Sequence, residues 1–419
     1  MKSFSVKEIC SIFASIYWVK YALACTVILI SGSVRAQEKG DGNAVVLKLA
    51  EMGYTNVRYT DAAGERIYTL ENDVQKLQSV AISEALKVIQ REGLDRSKPN
   101  KVIVTSQDVP QVALTFLPQA TDSTEVTLND WHATYDVGDS WKQVRKAPKE
   151  NSSFGKVNIW VYPQLSFMNL IVNQIYQWMF DLSPTIEVNL WPGAQLSAML
   201  KIPVYNDGYS MLEDKIHPGP ITLTQKFRLP WYEIQGRVAL GYFTNDRWGM
   251  DVMLKAPLRD PRFTVKGNFG LTGIGWWNGM KFHYDRDMFT TYSVEGSFFW
   301  PKYNLQFILR GQKWLVGDKG VKFEMIRHFK YCSVGFYAMK STDKYAATNG
   351  GFRFQVSLPP YKTKRKGYWP RVGTSSQMGL VYNAGNEQYY YKEYRAVSSE
   401  NIMEANSFNP LFIQNELMK

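Results

Sequence analysis

The feature that most restricts how this chain folds is a period of two running from Met288 to Leu358. Tyr292, Val294, Gly296 and Phe298 alternate with Thr291, Ser293, Glu295 and Ser297, one parity apolar and the other polar. After Pro301-Lys302-Tyr303-Asn304 the pattern resumes, with Leu305, Phe307 and Leu309 against Gln306, Arg310 and Gln312. Val321, Phe323 and Met325 then oppose Lys322 and Glu324, and Phe352, Phe354 and Val356 oppose Arg353, Gln355 and Ser357. Such alternation belongs to extended strands whose two faces meet different surroundings. Aromatic residues gather near the strand ends (Phe298, Phe299, Trp300; Trp314; Phe329, Tyr331). Behind an export leader, that combination predicts a membrane β-barrel with a polar interior.

The first 36 residues read as that leader. Lys2, Lys7 and Lys20 give a basic start, Tyr21 to Ile30 an apolar core, and Val34-Arg35-Ala36 a small-residue cleavage site before Gln37. The uncharged run between Lys20 and Arg35 is short for a helix crossing roughly 30 Å of hydrocarbon, which favours cleavage over anchoring. Cys25 is followed by Thr-Val-Ile-Leu-Ile and not by a polar spacer, which speaks against lipidation. Lys2, Lys7, Lys20 and Arg35 against Glu8 remove three charges from the chain's +11, leaving +8. Cys10 and Cys25 leave with the leader, so Cys332 remains alone and no intrachain disulfide is expected. Downstream, the longest apolar stretch, Leu165 to Phe180, is interrupted by Asn169, Asn173, Gln174 and Gln177. A membrane protein without spanning helices must be a closed barrel, because lipid satisfies no unpaired backbone group.

Residues 37–118 differ in character. Ala44 to Met52 and Val74 to Glu92 carry helical spacing, each stopped by a glycine (Gly53, Gly93). Val57 to Thr60 and Arg66 to Glu71 read as a hairpin around Ala63-Gly64, and Lys101 to Thr105 with Gln111 to Leu117 as two more strands. The expectation is a small periplasmic α/β domain, a linker over 119–155, and a barrel over 156–360. Its candidate strands number about thirteen, from Lys156–Tyr162 to Gly351–Leu358, with Met280–Tyr284 and Thr290–Phe298 read as separate segments. Bacterial barrels ordinarily carry an even number, so either one segment is spurious or the tail, 361–419, supplies a closing hairpin. The fold class is therefore mainly β: an antiparallel up-and-down outer-membrane barrel of about 12–14 strands behind a small α/β domain.

Several ordered stretches resemble the YjbH family, the GfcD-like outer-membrane proteins associated with exopolysaccharide and capsule export. They include Asn173-Gln174-Ile175-Tyr176-Gln177, Leu190-Trp191-Pro192-Gly193, Ile202-Pro203-Val204-Tyr205-Asn206-Asp207 and Arg310 to Gly320. Phe323 to Phe329, Val334-Gly335-Phe336-Tyr337 and Gly350 to Pro359 continue the series. Within it Gly311, Asp318, Gly320, Arg327, Phe329 and Gly335 carry the likeness. The resemblance covers roughly 156–360. It implies an outer-membrane barrel acting in polysaccharide export or assembly, with outer-membrane lipid, lipopolysaccharide and export components as partners, and it brings no catalytic residue.

Read for chemistry, the four histidines offer little. His283 lies near Asp285 and Asp287, but no nucleophile is tied to it by spacing, and no two histidines stand at metal-ligand spacing. No enzyme activity, metal, cofactor or nucleic-acid partner is expected. Glu295, Gln306, Arg310, Lys322, Glu324, Arg353 and Gln355 share the polar parity and are expected to line one lumen, since charges facing lipid cost about 2–4 kcal/mol each at mid-depth. Two uses of that patch stand side by side: a salt-bridge network that plugs the lumen, or a path for an acidic sugar polymer. Arg327 falls on the apolar parity, which calls for a bulge or for a strand that has left the membrane at Phe329. The basic run Lys362 to Lys366 reads as a solvated loop or as a contact for lipopolysaccharide phosphates. A general porin and a soluble secreted glycan-binding β-sandwich are the other functions this pattern admits.

Overall fold

A computed structural model describes residues 41–419 apart from 63, 119–125, 170–175, 376–377 and 386–388; the export leader lies outside the described residues. Two sheets organise the chain. The smaller begins with helix α1 (Asp41–Met52), then β1 (Thr55–Ala62) and β2 (Glu65–Glu71). Helix α2 (Gln78–Glu92) is the crossover that lets β2 pair in parallel with β3 (Asn100–Ser106), since parallel neighbours need a long connection. β4 (Val109–Phe116) and β5 (Trp131–Thr134) complete the order β1-β2-β3-β4-β5. The stripe of Ala81, Ile82, Ala85, Leu86 and Ile89 on α2 packs on Tyr68, Leu70, Val102, Val104 and Leu114 of the sheet. On the opposite face Ile67, Ile103 and Ala113 pack with Val137 and Val144, the latter on helix α3 (Ser140–Val144). The stretch 119–155 is thus no simple linker. It holds β5 and α3, and Glu150 bridges back to Val57.

The larger sheet begins with β6 (Val157–Asn169), β7 (Tyr176–Trp191), β8 (Ala194–Asp207) and β9 (His217–Leu229). It continues through β10 (Ile234–Phe243), β11 (Arg247–Pro257), β12 (Phe263–Asn278) and β13 (Lys281–Trp300). β14 (Leu305–Lys313), β15 (Lys319–His328), β16 (Cys332–Ser341) and β17 (Asn349–Val356) follow, each antiparallel to its predecessor. The segments Met280–Tyr284 and Thr290–Phe298 are one strand, β13. Its N-terminal half pairs with β12 alone, because β14 joins it only from Tyr292. β18 (Arg371–Thr374) and β19 (Met378–Asn383) come next in the chain yet stand at opposite ends of the fourteen-strand order. β19 pairs antiparallel with β17, and β18 pairs in parallel with β6. The rings of Phe167 on β6 and Tyr382 on β19 lie 6.0 Å apart.

Burial is inverted relative to a sheet that packs on an oily core. Val294, Leu309 and Phe336 are 64%, 60% and 57% exposed, while Glu295, Lys322 and Glu324 on the other parity are 7%, 5% and 2% exposed. The same holds across β10 and β11, where Leu240 and Leu254 face out and Arg237 and Asp251 face in. The small sheet sits where the short turns of the large one gather. Gly193, at φ +81° in the β7–β8 turn, donates its N–H to the Gln107 carbonyl at 2.7 Å, and Arg228 Nη1 reaches the carbonyls of Pro110 and Gln111, each at 3.0 Å. A Cβ at Gly193 would stand 2.1 Å from the Lys226 carbonyl oxygen, so only glycine fits there.

The chain's last part binds both sheets. The basic run is neither a free loop nor placed at the long-loop end. Lys362 Nζ meets the Glu84 carboxylate at 3.2 Å, and Arg365 Nη1 donates to the Val157 carbonyl at 2.8 Å, holding the small sheet to the large one. Lys76 Nζ donates to the carbonyls of Leu358 at 2.6 Å and Ser375 at 3.0 Å. Helices α4 (Ile402–Asn406) and α5 (Pro410–Leu417) follow. Asn409 caps α5 by accepting the Leu411 and Phe412 N–H groups, and Ile413 and Leu417 are buried in the small sheet's core.

Ile413→Ala should therefore cost about 2–5 kcal/mol and speed amide exchange in β4 while leaving β14 and β15 unchanged; equal protection in β4 would disprove the shared core. Burial pushes the Lys76 ammonium down to about 8 from 10.5. Between those values the unfolded chain holds the proton and the folded one releases it, so the side chain's contribution to stability is least below about pH 8 and grows as pH rises toward 10.5. The gap in urea midpoint between the native chain and Lys76→Met should shift in the native chain's favour on going from about pH 7.5 to about pH 9.5; parallel profiles would refute this.

Candidate functional site: the polar interior of the large sheet

Strand register sets the charges of the interior in a row. Lys266 lies opposite Glu295, Glu295 opposite Arg310, and Arg310 opposite Lys322 on four successive strands. Arg310 Nη2 meets Glu295 Oε2 at 2.6 Å and Lys266 Nζ meets it at 3.0 Å. Glu324, one pair further along β15, takes Lys322 at 3.1 Å and Arg353 at 3.2 Å. Gln306 donates to Ser297 Oγ at 3.2 Å, and its Oε1 stands 3.0 Å from His328 Nε2. All seven residues expected on the lumen side are on this face, and five of them form two ion-pair groups, Glu295 with Arg310 and Glu324 with Lys322 and Arg353.

The alternation holds to the end of β15. Its register with β14 and β16 is unbroken, so no bulge occurs; Arg327 faces out over the Phe329 ring, and His328 faces in, buried beside Ser333. Gly320 is required by close approach, since a Cβ would fall 2.0 Å from the Lys340 carbonyl oxygen. Gly335 lies close to Ile326, whereas Gly311 has open space around it. Asp318 is buried, and its Oδ2 accepts the Tyr391 N–H at 3.2 Å. His283, Asp285 and Asp287 are exposed on the projecting part of β13, where His283 stacks on Trp276.

What the alternation did not reveal is an occupant. Residues 389–409 run along the interior as a strap. At the long-loop end Tyr391 stands edge-on to Trp314 and donates its hydroxyl to the Ala347 carbonyl at 2.6 Å. Glu393 then accepts from Gln312 at 2.8 Å and from Lys322 at 3.1 Å, with Arg310 at 3.8 Å. Tyr394 donates to Asp251 at 2.9 Å, Glu400 pairs with Arg237 at 3.1 Å, and the Met403 N–H donates to Gln355 at 3.2 Å. Beside the strap a cavity of about 780 Å³ remains, reaching from Trp314 to Gln107 and Gln111 of the small sheet. Arg237 and Asp251 could be found by parity, each sitting between apolar neighbours on β10 and β11. The strap has no periodicity and left no signal.

No protein-family model matches the chain, and no curated relative matches it. A solved structure that resembles the fold is a loop L8 deletion mutant of OmpT, an outer membrane protein of Vibrio cholerae. It is 7% identical, the match covers 55% of this chain and 94% of that one, and the TM-score is 0.27, a likeness too slight to carry an argument.

Removing Arg310 leaves Glu295 with Lys266 alone and Glu393 with Lys322. Arg310→Ala should lower stability by about 3–5 kcal/mol, and adding Glu295→Gln to it should cost less than the two single changes summed. Unfolding in denaturant measures both; a loss below about 1 kcal/mol for the single change would mean the row does not hold the wall together.

Proposed function

We propose that the protein is a non-enzymatic outer-membrane β-barrel, closed through β18 and β19, that takes part in export or assembly of a surface polysaccharide. The observation that carries the membrane reading is the inverted burial: an outward face of Val294, Leu309, Phe323, Phe336 and Phe352 around an inward face of paired charges. An exposed apolar surface of this extent is untenable in water and matches acyl chains. Twelve antiparallel strands plus one run that touches β17 on one side and β6 on the other make an odd set, and an odd meander closes with a parallel pair, as β18 and β6 do. Trp231, Trp300, Tyr303, Phe329 and Tyr331 stand exposed at the short-turn end beside Lys302, Arg327 and Lys330, the composition of a bilayer interface. Short turns face the periplasm in bacterial barrels, which puts the small sheet there and the β8–β9 and β12–β13 connections outside, toward lipopolysaccharide.

The polysaccharide pathway rests on the likeness of 156–360 to the YjbH family. The strap argues against a general porin, which needs an open lumen, and the apolar outer face argues against a soluble sandwich. Loss of the protein should reduce surface polysaccharide without altering small-solute permeability; the reverse result would favour a porin. The native chain should fractionate with outer membranes and migrate differently in detergent gels before and after boiling. Val294→Lys, which sets a charge against lipid at a cost of about 2–4 kcal/mol, should deplete the folded band; an undiminished band would reject the lipid-facing assignment.

A further inference from the structure

Three pairs of cations lie in register on the inner face: Arg310 opposite Lys322, Arg237 opposite Lys226, and Lys255 opposite Lys266. Like charges in register repel and are unfavourable unless an anion lies between or beside them. Wall carboxylates reach at least one member of each pair, Glu295 on Arg310 and Lys266, Glu324 on Lys322 and Asp251 on Arg237, and the strap adds Glu393 to Arg310 and Lys322 and Glu400 to Arg237. Gln312 Nε2 and Trp314 Nε1 add donors to Glu393, at 2.8 Å and 3.3 Å. Of the strand side chains lining the cavity, Lys226, Arg237, Lys255, Lys266, Arg310, Lys313 and Arg353 outnumber Asp251, Glu295 and Glu324. Among the described residues neither Lys226 nor Lys255 has a carboxylate within 4 Å; Lys226 Nζ donates to Ser106 Oγ, and Lys255 sits over the Tyr135 ring.

A wall built only to be filled has no need of in-register cation pairs, because neutral or alternating charges would close it at lower electrostatic cost. We propose that the Arg310–Lys322 and Arg237–Lys226 pairs are carboxylate-binding stations for an acidic polysaccharide, and that the strap is a resident stand-in whose Glu393 and Glu400 occupy them until the polymer arrives. The strap is anchored at both ends, by Tyr391 against Trp314 and Asp318 and by α5 in the core of the small sheet. It is therefore displaced sideways within the lumen and not expelled. This deepens the export reading and rests on it, since the stations matter only if the sheet encloses a passage.

The test uses the full chain reconstituted in planar bilayers under a potassium chloride gradient, with polygalacturonate oligomers as the acidic probe and dextran of matched length as the neutral one. The native chain should conduct poorly. Glu393→Gln with Glu400→Gln should raise conductance several-fold, give an anion-selective reversal potential, and be blocked by polygalacturonate but not by dextran. Arg310→Gln with Lys322→Gln should also loosen the strap yet lose the anion preference, a split that mere loosening does not produce. If the glutamine variant is unselective, cation-selective, closed, or blocked equally by both polymers, the stand-in proposal falls while the barrel survives. If the native chain fails to enter the bilayer and its gel migration is unchanged by boiling, the membrane reading falls and takes the proposal with it. A second measurement needs no variant: polygalacturonate, and not dextran, should accelerate amide exchange in residues 391–405 of the native chain. Unchanged exchange there would equally overturn the proposal.

Discussion

The burial of charge on the inside of the large sheet is the constraint from which the rest follows. Once the outer parity is given to Val294, Leu309 and Phe336, the inner parity receives Glu295, Lys322 and Glu324, and none of these reaches bulk solvent. A buried ion is tolerated only with partners at good geometry. Register supplies some of them, as in the contact of Glu295 with both Lys266 and Arg310. It also sets Arg310 beside Lys322, each with a carboxylate of the wall, Glu295 on the first and Glu324 on the second. The carboxylate of Glu393 bridges the two cations, so a segment far along the chain becomes part of the wall's own electrostatics.

That dependence runs in both directions along the chain. The strap passes from Asp318 and Trp314 at one end of the interior to α5 at the other, and α5 completes a core whose remaining members lie between Val45 and Trp131. The small sheet is consequently not a freestanding bead on a linker. Lys76, Arg365 and Arg228 tie its edge to strand ends of the large sheet, while Ile413 and Leu417 fill its middle. Damage to the far C-terminal helix is felt first in the N-terminal sheet, a coupling that sequence order conceals.

Period-two alternation was legible because each strand meets two different media, and it located the seven inward residues from Glu295 to Gln355. Helical stripes such as Ala81 to Ile89 were legible for the same reason at a different period. Strand number was not, because β13 continues past its neighbours as a two-stranded projection and its exposed half, Lys281 to Thr290, alternates nothing. The short β18 carries four residues, too few for a pattern. Least visible was the strap, whose contacts alternate with no regular period: Tyr391 packs on Trp314, Glu393 meets Lys322, Tyr394 stacks on Phe243 and Glu400 meets Arg237, so no periodic contrast is displayed. The basic run Lys362 to Lys366 looked solvated for a related reason, since sequence alone does not reveal that Glu84 and the Val157 carbonyl await it.

Tethering at both ends has a consequence for what can compete with the strap. Glu393 and Glu400 are linked through a short span of chain, so each is returned to its place by the other at an effective concentration in the range of about mM. If the passage takes an acidic polysaccharide, as proposed above, a single uronic acid must outbid that advantage at one position while the neighbouring position refills the first. A chain of such units gains the same multivalent benefit the strap enjoys, and exchange between the two becomes a contest of equal valency. On the proposal made above, the interior is tuned to length and favours polymers over monomers.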